Sequence, residues 1–446
     1  MQAPRTRYVE TEQGAHVAYQ VVGDGPVDLM FIPWWWSNLE WQWEDPLVAS
    51  FLDHLSRFAR LITFDVRGVG VSDPAPLDDL TTLEGWMRDA VDVLDAAGSR
   101  AAVIIGHGDG GLIASVLAAT HPERCSGLIL IDSYARLEED EDYEGWERGF
   151  LDDLLGRFAD FWGSGNANWV TLVAPSEQKN KEFRFQLGRL ERLSVSPGAA
   201  RAMQLVLGRV DVRPALATIS VPTLVLHHVG NTYVPVHFGR QVAAHIPDAE
   251  LIELEGADHL YWIGNTEATL RLIEQHVAGS RGAPRAERVL ATVLLTDIVA
   301  STDRVVALGD ERWRDVLRRH DDMVDRQLER FRGDRVKSTG DGVLARFDGP
   351  ARAIDCGCAI RDAARQLGLS IRAGLHTGEI ELIDRDIAGV GVHIASRIAS
   401  LAQPNEVLVS RTVVDLVAGS RHRFESRGDH DLKGVPGAWT VFAVTN

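Results

Sequence analysis

Six short apolar runs pace the first 277 residues of the chain: Asp28–Ile32, Leu61–Phe64, Ala101–Ile105, Gly127–Ile131, Thr223–Leu226 and Glu250–Glu253. Each has the length of a strand, and stretches with helical spacing lie between them. Alternation of this kind predicts a mostly parallel sheet with helices on both faces. After the last run comes Ala278-Gly279-Ser280-Arg281-Gly282-Ala283-Pro284-Arg285, a Gly/Pro-rich charged segment that reads as a linker. The expected organisation is therefore a first domain over 1–277, a linker over 278–287 and a second domain over 288–446. A chain of 446 residues has ample core for that.

Charge and cysteine usage narrow the function classes. The formal net charge of −18 argues against a nucleic-acid surface and against docking on anionic lipid. The N-terminal residues Met1–Arg7 have no apolar core, so no signal peptide is expected. No uncharged apolar run approaches the length of a membrane span. The cysteines are Cys125, Cys356 and Cys358, and the Cys356-x-Cys358 pair lacks a second pair to complete a zinc site. These features fit a reduced, cytoplasmic protein. The acidic run Glu138–Asp142 reads as a solvated loop rather than a metal site.

The first part carries several landmarks. Phe64-Asp65-Val66-Arg67-Gly68-Val69-Gly70-Val71-Ser72 follows one strand. Gly106-His107-Gly108-Asp109-Gly110-Gly111 follows another and opens a helix. Val229-Gly230-Asn231 and Gly256-Ala257-Asp258-His259 come later. In order and context these motifs resemble the α/β-hydrolase fold, over about residues 5–277. The resemblance implies a nucleophile at Gly108, an acid at Asn231 and a histidine at His259. Glycine offers nothing to attack with, and asparagine carries no charge to steady an imidazolium. Only His259 survives of a catalytic triad. Asp109 is the one reactive neighbour, one position late for a nucleophile elbow, and an Asp109–His259 hydrolase is the alternative. A helical cap is expected over about 135–205. Trp34-Trp35-Trp36, Trp41 and Trp43, with Trp146, Trp162 and Trp169 of the cap, could wall a pocket for an apolar small molecule or simply form core.

The second part opens on Val289–Leu295, an apolar run read as a buried strand that ends at Asp297. Downstream, Val336-Lys337-Ser338-Thr339-Gly340-Asp341-Gly342 reads as a tight hairpin turn between strands Arg335–Ser338 and Val343–Phe347. Further on comes Asp386-Ile387-Ala388-Gly389-Val390-Gly391-Val392-His393-Ile394-Ala395-Ser396-Arg397. Carboxylates can clamp hard divalent cations, and an arginine can offset charge growing on phosphate oxygens. Lysine only donates and carboxylate only accepts, which complements the N1 acceptor and N6 donor of adenine.

These three motifs resemble the catalytic domain of the class III nucleotidyl cyclases, over about residues 288–446. The resemblance implies that Asp297 and Asp341 bind two divalent metal ions, Mg²⁺ or Mn²⁺. It implies that Lys337 and Asp386 select the base, and that Arg397 stabilises the transition state. The family's asparagine, four residues before that arginine, is replaced by His393. Imidazole can donate one hydrogen bond, and it can change charge near neutrality where an amide cannot. Family members work as head-to-tail homodimers with the site between two domains.

Together the halves resemble bacterial proteins in which an α/β-hydrolase-like domain (mostly parallel sheet with a helical cap) precedes an α+β class III cyclase domain. The expected activity is conversion of ATP to 3′,5′-cyclic AMP and pyrophosphate. The first domain would bind a ligand and regulate without hydrolysing. Two alternatives use the same residues: an esterase with an accessory cyclase fold, and a non-catalytic sensor.

Overall fold

The structure is a computed structural model. It describes residues 3–75, 82–147, 149–156, 158–279, 288–301, 304–305, 309–338, 340–383 and 386–445. The chain divides into two compact units, Met1–Ala286 and Glu287–Asn446.

The first unit is built on an eight-stranded sheet. Its strands are β1 (Arg7–Glu10), β2 (His16–Val22), β3 (Asp28–Ile32), β4 (Arg60–Phe64), β5 (Ala102–His107), β6 (Cys125–Ile131), β7 (Thr223–His228) and β8 (Glu250–Leu254). They lie in the order β1-β2-β4-β3-β5-β6-β7-β8. From β4 to β8 all neighbours are parallel, while β1 and β2 add an antiparallel edge. β5 and β7 are buried along their whole length, which is why they read as strong strand signals. Between β6 and β7 the chain forms the helices Phe150–Gly156, Phe158–Phe161, Ala167–Val173, Lys181–Ser194 and Pro197–Leu207.

The loop after β4 organises the top of this sheet. Asp65 is fully buried and accepts from Ser37 Oγ at 2.6 Å, Leu39 N at 3.1 Å and Val71 N at 3.0 Å. Burial pushes its carboxyl up to about 6 against these three donors. One side chain thus ties the loop after β3, which carries the tryptophans, to the loop after β4. Gly70 has φ +58°, and a Cβ there would stand 2.0 Å from Asp65 Oδ2, so only glycine closes the turn.

The second unit is also built on an eight-stranded sheet. It comprises β9 (Arg288–Ile298), β10 (Asp334–Ser338), β11 (Val343–Phe347), β12 (Ile371–Ile383), β13 (Asp386–Ala388), β14 (Glu406–Ser410), β15 (Phe424–Asp431) and β16 (Ala438–Val444). The order is β10-β11-β9-β12-β14-β16-β15, with β13 paired to β12. Alternate residues of β9 enter different cores, as a period of two requires. Leu294 and Ile298 pack with Trp313, Val324 and Leu328 of the helix Asp310–Phe331 and with Ile354 and Ile360 of the helix Pro350–Gln366. Val289, Ala291 and Val293 pack with Ala395 of the helix Val390–Leu401 on the other face. Cys356 lies in the first of these cores and Cys358 packs against it, as expected of packing residues.

Two sequence expectations need correction. The linker was expected to begin at residue 278, but the helix Thr266–Gly279 runs through 278 and 279, anchored by buried Leu270, Ile273 and Val277. The remaining linker residues, 280–287, lie outside the described residues. Asp297 was expected to end its strand, but β9 continues to Ile298 because the long β12 extends the ladder to the pair Ile371↔Ile298. Among the described residues, no helix is long and apolar enough to cross a membrane.

Candidate functional site

In the second unit, strand register decides what meets. β9 and β11 are antiparallel with Thr296 opposite Val343, and Thr296 Oγ1 accepts from Val343 N at 3.2 Å. Asp297 follows Thr296 on β9, and Asp341 lies in the turn two residues before Val343 of the neighbouring β11. The turn between β10 and β11 needs Gly340 at φ +94°. Thr339 of this motif lies outside the described residues. A β-bulge between Arg335 and Lys337 re-aims the outgoing strand. Lys337 Nζ then donates to both oxygens of Asp386, at 2.8 and 2.7 Å. The two residues are 49 apart in sequence, and each side chain is half exposed. The Lys337 hydrogen bond holds the Asp386 carboxyl below its ordinary value.

Asp297 has a partner that sequence reading missed. Arg372, opposite it on β12, donates through Nη2 to Asp297 Oδ2. The signal was a lone arginine in the apolar segment Ile371-Arg372-Ala373-Gly374-Leu375. A guanidinium therefore rests on a carboxylate at the spot where a cation is expected, and the donor set of Asp297 and Asp341, both hard oxygen ligands, suits a divalent metal. His393 and Arg397 are exposed, one turn apart on the helix Val390–Leu401. Arg397 Nε donates to the Lys433 carbonyl at 3.1 Å.

In the first unit, β5 ends at His107 and the helix Gly110–Thr120 begins two residues after Gly108. Gly108 has φ +53°, the strained turn of a nucleophile elbow. A Cβ at 108 would meet His259 Nε2 at 3.1 Å and Trp34 Cδ1 at 3.4 Å. His259 is fully buried, and Asn231 Nδ2 lies 3.0 Å from its Nδ1. Asn231 Oδ1 accepts from Tyr233 N and Val234 N, both at 3.0 Å. The three triad positions thus converge, with a glycine and an amide where an attacking group and a carboxylate would be. Asp109 does not stand in: its carboxylate takes the Tyr134 hydroxyl, and burial pushes it up to about 6.

Asp132, just beyond β6, was also missed. It is fully buried and accepts from His228 N at 2.8 Å and His228 Nδ1 at 2.7 Å. Burial opposes its charge, but the His228 hydrogen bond and charge outweigh burial and hold it well below its ordinary value. The sequence signal was a carboxylate closing the buried run Gly127–Ile131, with His227-His228 closing the next strand. His107, Asp132 and His259 offer donor atoms within 4.8 Å of one another. All three groups are already engaged, Asp132 by His228, His259 Nδ1 by Asn231 and His107 Nε2 with the His259 carbonyl. These hydrogen bonds account for the close approach of the three side chains.

Among the described residues the tryptophans pack closely on one another. Trp34 and Trp36 have ring centroids 4.7 Å apart, and Trp35 stacks on Trp162 at 5.4 Å with an interplanar angle of 11°. All are buried, and Trp34 also lies edge-on to His259 at 4.7 Å. The cavity that Trp34, Trp36 and Trp41 help to line measures ≈ 20 Å³, room for about one water.

Comparison with known proteins agrees with both halves. Residues 37–265 match the family model of the alpha/beta hydrolase fold. Residues 285–446 match that of the adenylate and guanylate cyclase catalytic domain. A protein of Oryza sativa subsp. japonica named as a probable esterase is 22% identical over 263 residues, covering 58% of this chain and 94% of its own. A candidate adenylate cyclase of Rhizobium meliloti is 31% identical over 133 residues, 28% of this chain and 22% of that protein. Among solved structures, a hydrolase from Pseudomonas aeruginosa PA01 superposes with a TM-score of 0.51 at 25% identity, covering 63% of this chain and 100% of its own.

Proposed function

The chain belongs to the α/β hydrolase fold family through its first unit and carries a class III cyclase catalytic domain as its second, and we propose that it is an adenylate cyclase whose first unit binds without hydrolysing. In the reaction the ribose 3′-oxygen attacks the α-phosphorus of ATP. The bond from that phosphorus to the β-bridging oxygen breaks, pyrophosphate leaves, and the 3′-proton is lost to solvent. One observation carries the reading: Lys337, on the strand that leads into the turn with Asp341, donates to Asp386 across 49 residues of sequence.

Each residue has a role in this reading. Lys337 and Asp386 exchange their mutual bonds for the adenine edge, the lysine donating to N1 and the carboxylate accepting from N6. Guanine, with donor and acceptor reversed, leaves both unpaired. Asp297 and Asp341 would hold divalent metal, which when bound would supply a more acidic 3′-hydroxyl and charge neutralisation of the triphosphate. Arg372, which pairs with Asp297, would have to release that carboxylate for it to hold a cation. Arg397 meets charge developing on the α-phosphate, and His393 donates the hydrogen bond that an amide would supply.

Arg397 and His393 are exposed, and Lys337 and Asp386 half exposed, in the single chain. This supports a head-to-tail homodimer in which one copy supplies the metal carboxylates and the other the base-reading and arginine residues. The esterase names of some relatives do not extend to this chain, because position 108 has no nucleophile. Its ATP substrate and its free cysteines fit a cytoplasmic protein.

The test is the purified chain with ATP and Mn²⁺, read for cyclic AMP. Activity should appear, should vanish with chelator, and should fall by orders of magnitude in Asp297→Ala. Near-normal turnover in that variant contradicts the mechanism.

A further inference from the structure

The amide of Asn231 does more than lack a charge. Its Oδ1 is committed to two backbone N–H donors, Tyr233 N and Val234 N, which have nothing to accept with. The amide orientation is therefore fixed by chemistry, and Nδ2 must face His259. An NH₂ group only donates, so His259 Nδ1 must be the acceptor in the 3.0 Å contact. Burial drives this histidine well below its ordinary pKa, so the ring is neutral and holds a single proton. That proton is on Nε2.

A hydrolase needs the opposite tautomer. There the acid fixes the proton on Nδ1, and the Nε2 lone pair takes the nucleophile's proton. Here Nε2 is a donor. It is completely buried, has no hydrogen-bond partner among the described residues, and points over Gly108. Trp34 Cδ1 lies 3.4 Å from a Cβ built at 108, close to the same point that His259 Nε2 approaches at 3.1 Å. A buried N–H facing an aromatic ring gains only a weak contact, while a carbonyl oxygen would satisfy it fully. The other rings against His259 are those of Tyr233 and His107, so the surroundings are largely aromatic.

We propose that the first unit holds a fixed hydrogen-bond donor in place of a catalytic base, and recognises a neutral, largely apolar molecule through one carbonyl-type acceptor that displaces Trp34 and seats on His259 Nε2–H. The proposal rests on the non-hydrolytic reading of this unit and adds to it the chemical class of the ligand. Asn231 is a positioning residue: it sets the tautomer without touching the ligand.

The experiment compares two probes of nearly equal size, 4-phenyl-2-butanone and n-butylbenzene, by quenching of tryptophan fluorescence in the full-length chain. The ketone should bind about three- to tenfold more tightly than the hydrocarbon, the range that one net hydrogen bond supplies. Asn231→Asp accepts from Nδ1–H and so returns a lone pair to Nε2; the preference should fall to about unity there. His259→Phe, which keeps a ring and removes both nitrogens, should do the same and covers the case in which Asn231→Asp does not fold. Equal affinities in the native chain, no saturable quenching by either probe, or a preference that survives both variants would overturn the proposal. Ester turnover dependent on His259 would instead overturn the non-hydrolytic reading, so the two failures are distinguishable.

Discussion

Restoring a hydrolase to the first unit should take two substitutions, and the second should matter more than distance from the reacting atom suggests. Gly108→Ser alone supplies the nucleophile. Its Cβ meets His259 Nε2 at 3.1 Å and Trp34 Cδ1 at 3.4 Å, so the neighbours must yield by a few tenths of an ångström. The left-handed backbone at 108 adds roughly 1–2 kcal/mol of strain. Neither cost prevents folding of a unit with so large a core. The serine nevertheless stays inert, because its hydroxyl meets an N–H and not a lone pair. Adding Asn231→Asp reverses the tautomer and gives the imidazolium a counter-charge. A triad with its acid replaced by an amide loses about 10⁴ in turnover through the wrong tautomer. The double variant should therefore exceed Gly108→Ser by about 10³–10⁴, equivalent to roughly 4–5.5 kcal/mol of barrier. The assay is release of p-nitrophenol from p-nitrophenyl butyrate, with His259→Ala in the double variant as the control. Access past the tryptophans is common to both proteins and cancels in the ratio. A single variant within tenfold of the double would refute the tautomer argument.

Two further outcomes follow from individual side chains. Lys337→Met should lower kcat/KM for ATP by about 10- to 100-fold, the scale of a charge-assisted hydrogen bond, and narrow the preference over GTP; because the Lys337–Asp386 pair is half exposed, thermal stability should scarcely change, and an unchanged ATP/GTP ratio refutes the base-reading role. Glu191, fully buried, accepts from Gly163 N at 2.6 Å, and burial pushes it up to about 8, so the native state keeps a proton that the unfolded chain releases above its ordinary value of 4.5. Stability from this residue is therefore lost as pH rises from about 4.5 toward 8, by at most about 1.4 kcal/mol per pH unit; Glu191→Gln should match the native chain near the lower end and exceed it in melting temperature near the upper, and a difference constant across that window contradicts this.

Much of the architecture was legible because buried strands write themselves as continuous apolar runs. β3 and β11 have the predicted bounds; β4, β6, β7 and β8 are found with one or two added residues, and β5 starts one residue later and ends two residues later than predicted. β1 and β2 escaped because an edge hairpin with polar positions such as Glu10, His16 and Gln20 carries no such run. The helix Thr266–Gly279 runs two residues into the expected linker, because apolar anchors at Ile273 and Val277 keep its last turn in place. The motif residues were visible as short patterns, but their partners were not. Arg372 reaches Asp297, and His228 reaches Asp132, through strand register, which links residues 75 and 96 apart. The tautomer of His259 was invisible for the same reason, since it depends on two backbone N–H groups next to Asn231. The tryptophans were equally consistent with pocket wall and with core, and their stacking favours core.

The central claim is that the second unit makes cyclic AMP at a site shared between two copies of this chain, and mixing two inactive variants tests it most directly. Asp297→Ala removes a metal carboxylate, and Arg397→Ala removes the group that meets the α-phosphate. Each alone should form almost no cyclic AMP from ATP and Mn²⁺. In a heterodimer one site collects both lesions and the other collects none. Random pairing of equal amounts makes about half the dimers mixed, each with one intact site of two, so the mixture should recover about a quarter of native activity. A mixture no more active than either variant by itself would contradict the account.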